Sequence, residues 1–314
     1  MYQWPEISHF VRRPGCDLKT MSKFSQQISD LFTYLLIPGL AVLLPVSFSR
    51  SILYRASCWN WFMAEAAEAA FQGVRSHVDI EDEARFKRRW KQVELLDVRD
   101  LYLMSFGRTG AVLEDVEIET DLELARNRVI IGMHWGPSIS ILKILQSAGL
   151  DPALPYRPPE RHVLRIRPFY YLFSTLAARY MVNTMGDRAV PVGGAGKVLR
   201  GLLDQPGSVI VVMDAPPMQG RPTLSTAVIG KNAIFNAGFP NILADKEKEY
   251  VFYALSLQIG DTVRKKLELE GPFSSSEAQA FLENYAEFLS RHLLSDPAQW
   301  RIWHAAQQFW RDDA

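Results

Sequence analysis

Arg128-Val-Ile-Ile-Gly-Met-His134-Trp-Gly-Pro-Ser138 is a run of branched apolar residues that ends in a histidine and a glycine-proline loop. A run of this kind, short and rich in β-branched side chains, predicts a buried strand. Three later segments read the same way. Ser208–Pro216 (SVIVVMDAP) and Glu249–Gly260 (EYVFYALSLQIG) are largely apolar, and Lys265–Gly271 (KKLELEG) alternates like a strand with one wet face. Helices are expected at Ser138–Gly149, Arg167–Val182, Gly196–Asp204 and Ser276–Ser295. Strands alternating with helices predict an α/β fold, in which sites gather at the C-terminal ends of strands. His134 and Asp214 both stand at such ends.

Composition narrows the rest. The chain has 314 residues, 48% of them hydrophobic, with 35 cationic against 35 acidic side chains. It is long enough for a large core and too apolar for disorder. Its neutral balance argues against a nucleic-acid partner. Two cysteines, Cys16 and Cys58, make neither a disulfide framework nor a cysteine zinc site, which fits a reducing compartment.

Residues 31–49 (LFTYLLIPGLAVLLPVSFS) carry no charge. As a single helix this stretch would reach ~28 Å, just short of a bilayer core. Pro38, Gly39 and Pro45 interrupt it. Two readings stand: a buried, kinked core helix, or membrane association as a kinked span or shallow anchor. Nothing marks the stretch as a cleavable signal peptide. Arg12, Arg13, Lys19 and Lys23 flank one side and Arg50 and Arg55 the other, so no orientation follows. An alanine-rich helix is expected after Trp59 and another over Ile80–Phe106, whose acidic start suits the helix dipole. The cationic run FKRRWK within it reads as a solvated face. The chain thus divides into an apolar N-terminal segment (1–50), a helical region (51–110) and an α/β core (111–314).

Several motifs fail on inspection. Gly193–Val198 (GGAGKV) lacks the first glycine and the closing Ser/Thr of a phosphate loop. Gly136-Pro-Ser138-Ile-Ser140 lacks the last glycine of a nucleophile elbow. The six histidines show no metal-ligand spacing. What survives is His134, placed where a general base would be presented, although a histidine in such a place also serves as a satisfied core residue.

At these residues the chain resembles the lipid A late acyltransferases (lauroyl and myristoyl transferases), a branch of the glycerolipid acyltransferase superfamily. An apolar N-terminal segment with a proline and a helical pair precede Ile130-Ile-Gly-Met-His134. Then come Tyr156-Arg157-Pro158, Gly186-Asp187-Arg188, Val198-Leu-Arg-Gly201-Leu-Leu, Val211-Val-Met-Asp214 and Pro297-Ala-Gln299-Trp300 with His304. Order and spacing carry the resemblance more than any single piece.

The resemblance implies a central mixed β-sheet flanked by helices, with an N-terminal apolar anchor and a helical pair. It implies an enzyme that moves a fatty acyl chain from an acyl-carrier-protein or coenzyme A thioester to a hydroxyl of a lipid or glycolipid. Its place would be the cytoplasmic face of a bacterial inner membrane, and it would need no cofactor and no metal. His134 maps onto the general base, a role worth ~10²–10⁴-fold in rate. Asp214 and Arg157 complete the catalytic set. Ser138, Arg161, Arg165, Arg179 and Arg188 are the candidates for substrate binding. Backbone N–H groups of the loop after His134, or a nearby arginine, are expected to stabilise the oxyanion.

Two departures stand out. The family places a carboxylate five residues after its histidine, and here that position is Ile139. Either another acid has taken over, Asp214 before Asp187, or His134 works without one and Ser138 offers at most a hydrogen bond. The third reading is a degenerate homologue that binds lipid or carrier protein without transfer. The family also carries an Arg-Arg pair after its C-terminal histidine, where this chain has Ala305-Ala306. That suggests an acceptor with less phosphate, unless these positions are merely helix surface.

Arg157–Pro168 (RPPERHVLRIRP) is a concentrated cationic spot followed at once by aromatics. It reads either as a solvated helix start or as a docking patch for acidic carrier protein or lipid headgroups. Asp214–Thr223 (DAPPMQGRPT) is expected to be a loop. The small and apolar residues of 226–239 either line an acyl groove or pack in the core.

Overall fold

The computed structural model describes residues 23–191, 195–259 and 263–310. Arg12, Arg13, Cys16, Lys19 and Gly193 lie outside the described residues. Helices fill the N-terminal part: α1 (Lys23–Leu31), α2 (Ile37–Leu43), α3 (Val46–Ser57), α4 (Ala64–Val74), α5 (Glu83–Ser105) and α6 (Thr109–Leu113). Alternation then sets in with β1 (Val116–Ile118), β2 (Val129–Gly132), α7 (Ile141–Ser147), β3 (Leu154–Tyr156), α8 (Val163–Ile166), α9 (Pro168–Met185), β4 (Ala189–Pro191), α10 (Ala195–Leu203) and β5 (Val209–Val212). A hairpin of β6 (Thr223–Val228) and β7 (Lys231–Asn236) leads to α11 (Gly238–Asp245). The long strands β8 (Tyr250–Ile259) and β9 (Val263–Phe273), then α12 (Ala278–Ser295) and α13 (Ala306–Phe309), complete the chain.

The central sheet has the order β1-β9-β8-β2-β5. Only the β8–β9 pair is antiparallel, so the sheet is mixed. Beyond β5 a parallel bridge from Ala153 to Val209 carries the sheet towards β3, which pairs in parallel with β4. Every residue of β2 and β5 is buried, because helices cover both faces, and this is why they read as unbroken apolar runs. Ile131, Val211 and Phe252 point into a core shared with α12 and the C-terminal tryptophans. Ile130, Ile210 and Val251 point the other way, onto α7 and α9.

Helix α5 departs from expectation. Residues 90–104 are all buried, including Lys91, Glu94, Asp97, Arg99 and Asp100. Its cationic run is therefore not simply solvated: Lys91 donates to the Trp59 carbonyl at 2.9 Å, and Arg89 pairs with Asp296. Phe86 and Trp90 supply the apolar side that draws the helix inward.

The uncharged stretch 31–49 does not form one helix. A π-helical turn, Phe32–Leu36, joins α1 to α2, and the backbone turns extended at Leu44 before α3 begins. Pro45 enforces the break, since a residue before proline is driven out of the helical region. Tyr34, Ile37 and Ala41 are buried, whereas Leu35, Leu36, Leu40 and Leu43 face outward. Among the described residues no helix is long and apolar enough to cross a membrane. In segment 226–239, Val228, Ala233, Phe235 and Ala237 are buried in the core, so those four side chains line no open groove.

Candidate active site

The site is built by strand register. β2 and β5 run parallel with Gly132 opposite Val212, so the residues two further on, His134 and Asp214, leave the sheet at the same level. Position 132 has to be glycine here: a Cβ would lie 2.2 Å from the Tyr253 ring. Asp214 Oδ1 lies 2.8 Å from His134 Nδ1, and the same carboxylate accepts the His134 backbone N–H at 2.8 Å through Oδ2. Asp214 is wholly buried and His134 nearly so. The pairing places the Nδ1 proton towards the carboxylate and leaves Nε2 as the basic nitrogen.

The C-terminal segment closes over this pair. Trp300 donates its indole N–H to Asp214 Oδ2 at 2.6 Å. The Gly136 N–H donates to the Gln299 carbonyl at 2.9 Å and the Arg301 N–H to the His134 carbonyl at 2.8 Å, so residues 299–301 run antiparallel to 134–136. Gly136 adopts φ +56°, and a Cβ there would fall 1.9 Å from the Leu255 carbonyl oxygen. Glycine alone meets both demands.

Each N–H of the loop after His134 already has an acceptor. Trp135 donates to Met133, Gly136 to Gln299 and Ser138 to Gly136, and residue 137 is a proline. Ile139 donates to Asp97 Oδ1 at 2.8 Å. The expectation that this loop forms an oxyanion hole is therefore corrected: its donors are used to hold the loop itself. Asp97 is fully buried, which pushes its carboxyl up to about 6 against the opposing pull of Arg301 and the Ile139 N–H. Arg301 Nη1 meets Asp97 Oδ2 at 2.7 Å, and its Nε and Nη2 grip both oxygens of Glu94 at 2.7 and 2.8 Å.

His304 is half-buried in the next turn. Burial, and then the charge of nearby His134, hold its imidazole down to about 4. Ala305 and Ala306 are buried, so they are core positions. The expectation that they report a less phosphorylated acceptor is corrected, because both side chains are packed in the core.

The other expected residues are dispersed. Arg157 follows β3, one strand beyond Asp214 on the same sheet edge, and is exposed with its guanidinium on Glu160. Adjacent strands lie ~4.8 Å apart, which puts Arg157 about 10 Å across the edge from His134. Ser138 is buried in the turn that starts α7. Arg161 and Arg165 are exposed around α8, and Arg179 is exposed on the outer face of α9. Arg188 precedes β4 and so stands at the opposite edge, where it donates to the Ser208 carbonyl. Asp187 is exposed beside it, which removes both from the surroundings of His134. A groove of about 510 Å³ opens along the loop after Asp214, lined by Pro217, Met218, Gln219, Arg221, Gln307 and Gln308.

Sequence reasoning attached no role to Trp300, Arg301, Glu94 or Asp97. The available signal was the acids at positions 94 and 97, set among apolar residues of one helix, which can stay buried only if a cation reaches them. Comparison with protein-family models and with curated proteins finds no match to this chain.

Proposed function

We propose that the chain is an acyltransferase that moves a fatty acyl group from a thioester, on acyl-carrier protein or coenzyme A, to a hydroxyl of a lipid or glycolipid. The observation that carries this reading is the buried His134–Asp214 pair at 2.8 Å, presented where two parallel strands end. Nε2 of His134 takes the proton of the acceptor hydroxyl as its oxygen attacks the thioester carbonyl. The C–O bond forms, the C–S bond breaks, and the imidazolium returns the proton to the departing thiolate. Asp214 holds the ring in the required tautomer and stabilises its charged form, which stands in for the carboxylate missing at Ile139. The fold is of the glycerolipid acyltransferase kind on this reading, and the groove along 217–221 offers room for the acceptor's polar head.

The membrane is the proposed working surface. Leu35, Leu36, Leu40 and Leu43 form an open apolar face on the N-terminal helices, and Trp59 and Trp61 are exposed near the end of α3. This favours a shallow association at a bacterial inner membrane's cytoplasmic face, with Arg161 and Arg165 free to meet acidic carrier or headgroups. The second reading, lipid or carrier binding without transfer, draws on the fully used N–H groups of 134–139.

The test is release of free thiol from lauroyl-coenzyme A and lauroyl-acyl-carrier protein in the presence of a detergent-dispersed bacterial lipid extract. Transfer predicts thiol release and a labelled lipid, both lost in His134→Ala. Lipid binding with no turnover by the folded wild type would select the second reading.

A further inference from the structure

We propose that Arg301 is a positioning residue for the His134–Asp214 pair, holding both ends of the 134–139 loop at once. This rests on the reading of that pair as the catalytic centre. The near end is held by the Arg301 N–H on the His134 carbonyl, at 2.8 Å. The far end is held through the side chain: Nη1 meets Asp97 Oδ2 at 2.7 Å, and Asp97 Oδ1 accepts the Ile139 N–H at 2.8 Å. Glu94, one turn before Asp97 on α5, takes the other two guanidinium nitrogens and fixes the fork in its plane. Arg301 and both acids are buried. The neighbouring residue, Trp300, donates to Asp214.

One short segment therefore touches the base, the acid and the end of the intervening loop. Position 139 lacks the family carboxylate, yet a carboxylate does arrive there from α5. It binds the backbone of residue 139 rather than the imidazole, and so governs where the imidazole sits. Lysine cannot reproduce this, because it lacks the planar fork that spans two carboxylates.

The experiment compares Arg301→Lys and the charge-balanced pair Arg301→Gln/Glu94→Gln with the wild type, well below their melting temperatures. Asp30→Asn, distant from the site, serves as a control for lost stability. The first readout is the downfield imidazole N–H proton of His134 by NMR, assigned by its loss in His134→Gln, with the backbone amides of β1, at the far edge of the sheet, as internal reference. The second is thiol release from lauroyl-coenzyme A. The proposal expects the His134 signal to shift or broaden while those of β1 stay, and kcat to fall ~10–100-fold with KM within about twofold. A His134 signal unchanged in both folded variants overturns it, whatever the turnover. If the signal moves but wild-type protein releases no thiol, Arg301 retains its positioning role and the catalytic reading fails by itself.

Discussion

Arg167 and Asp30, 137 positions apart in the chain, meet as a buried two-point ion pair, Nε to Oδ2 at 2.9 Å and Nη2 to Oδ1 at 2.7 Å. The guanidinium also lies 4.7 Å over the Tyr170 ring. The last arginine of the cationic stretch thus ties α1 to α9, while Arg161 and Arg165 remain outside. Asp30→Asn leaves a buried cation without its counter-charge and is expected to cost about 3–5 kcal/mol. Urea titration and limited proteolysis check this, with early cleavage expected near α1. Asp30→Asn/Arg167→Gln should regain part of the loss.

Asp214→Asn keeps the shape of the side chain but turns an amide towards donors. On the proposed mechanism, acyl transfer falls ~10⁴-fold, because the imidazole loses its preferred tautomer. Trp300→Phe removes one donor to the same carboxylate and keeps most of the ring; about 2 kcal/mol of stability should be lost. Thermal melting and thiol release separate the two effects.

Gly136→Ala has no relaxed solution, since a left-handed backbone and a carbonyl oxygen both oppose the added methyl. A loss of at least about 3 kcal/mol is expected. A soluble variant melting with the wild type would contradict the description of this loop.

Asp97 and His304 titrate in opposite senses below neutral pH. Asp97, raised to about 6 by burial, binds its proton more readily in the folded chain. Its contribution favours folding at low pH and is lost as pH rises through about 6. His304, held down to about 4, stays neutral in the fold while the unfolded chain accepts a proton near pH ~6.5. Its contribution is present above that pH and is lost as pH falls towards 4. Each shift is worth roughly 3 kcal/mol, so the two nearly cancel across the acid range. His304→Gln should make stability rise on acidification relative to wild type, and Asp97→Asn should make it fall more steeply. Urea midpoints between about pH 4.5 and 6.5 read both slopes.

Leu43 is 81% exposed at the end of α2 and Leu40 is 50% exposed one turn before it. Burying a leucine side chain in an apolar phase is worth about 1.5–3 kcal/mol. Leu40→Glu/Leu43→Glu should therefore weaken sedimentation with phospholipid vesicles by at least tenfold and leave the melting temperature nearly unchanged. Unaltered vesicle binding would remove this face as the membrane contact.

What the sequence made legible follows from what each element depends on. β2, β5 and β8 were readable because burial on both faces leaves a run of apolar residues. His134 and Asp214 were readable because each ends such a run. β3 and β4 have three residues each and exist by pairing, which leaves no local pattern. The β6–β7 hairpin escaped notice because its turn, Ile229-Gly230, puts a branched residue at φ +46°, where Asn or Asp usually marks the position. Arg301 escaped notice because its partners, Glu94 and Asp97, are 207 and 204 positions away.

The parallel register of β2 and β5 has a consequence for variation. The spacing between histidine and acid is measured by the sheet, the stiffest part of the molecule, rather than by the short loop that a histidine-and-acid motif would otherwise span. On the proposed mechanism, residue 139 is thereby released from proton chemistry and left to shape and anchoring alone. A chain built this way can, on that mechanism, change the side chains of that loop to suit a different acceptor, while His134 and Asp214 stay where two strands put them.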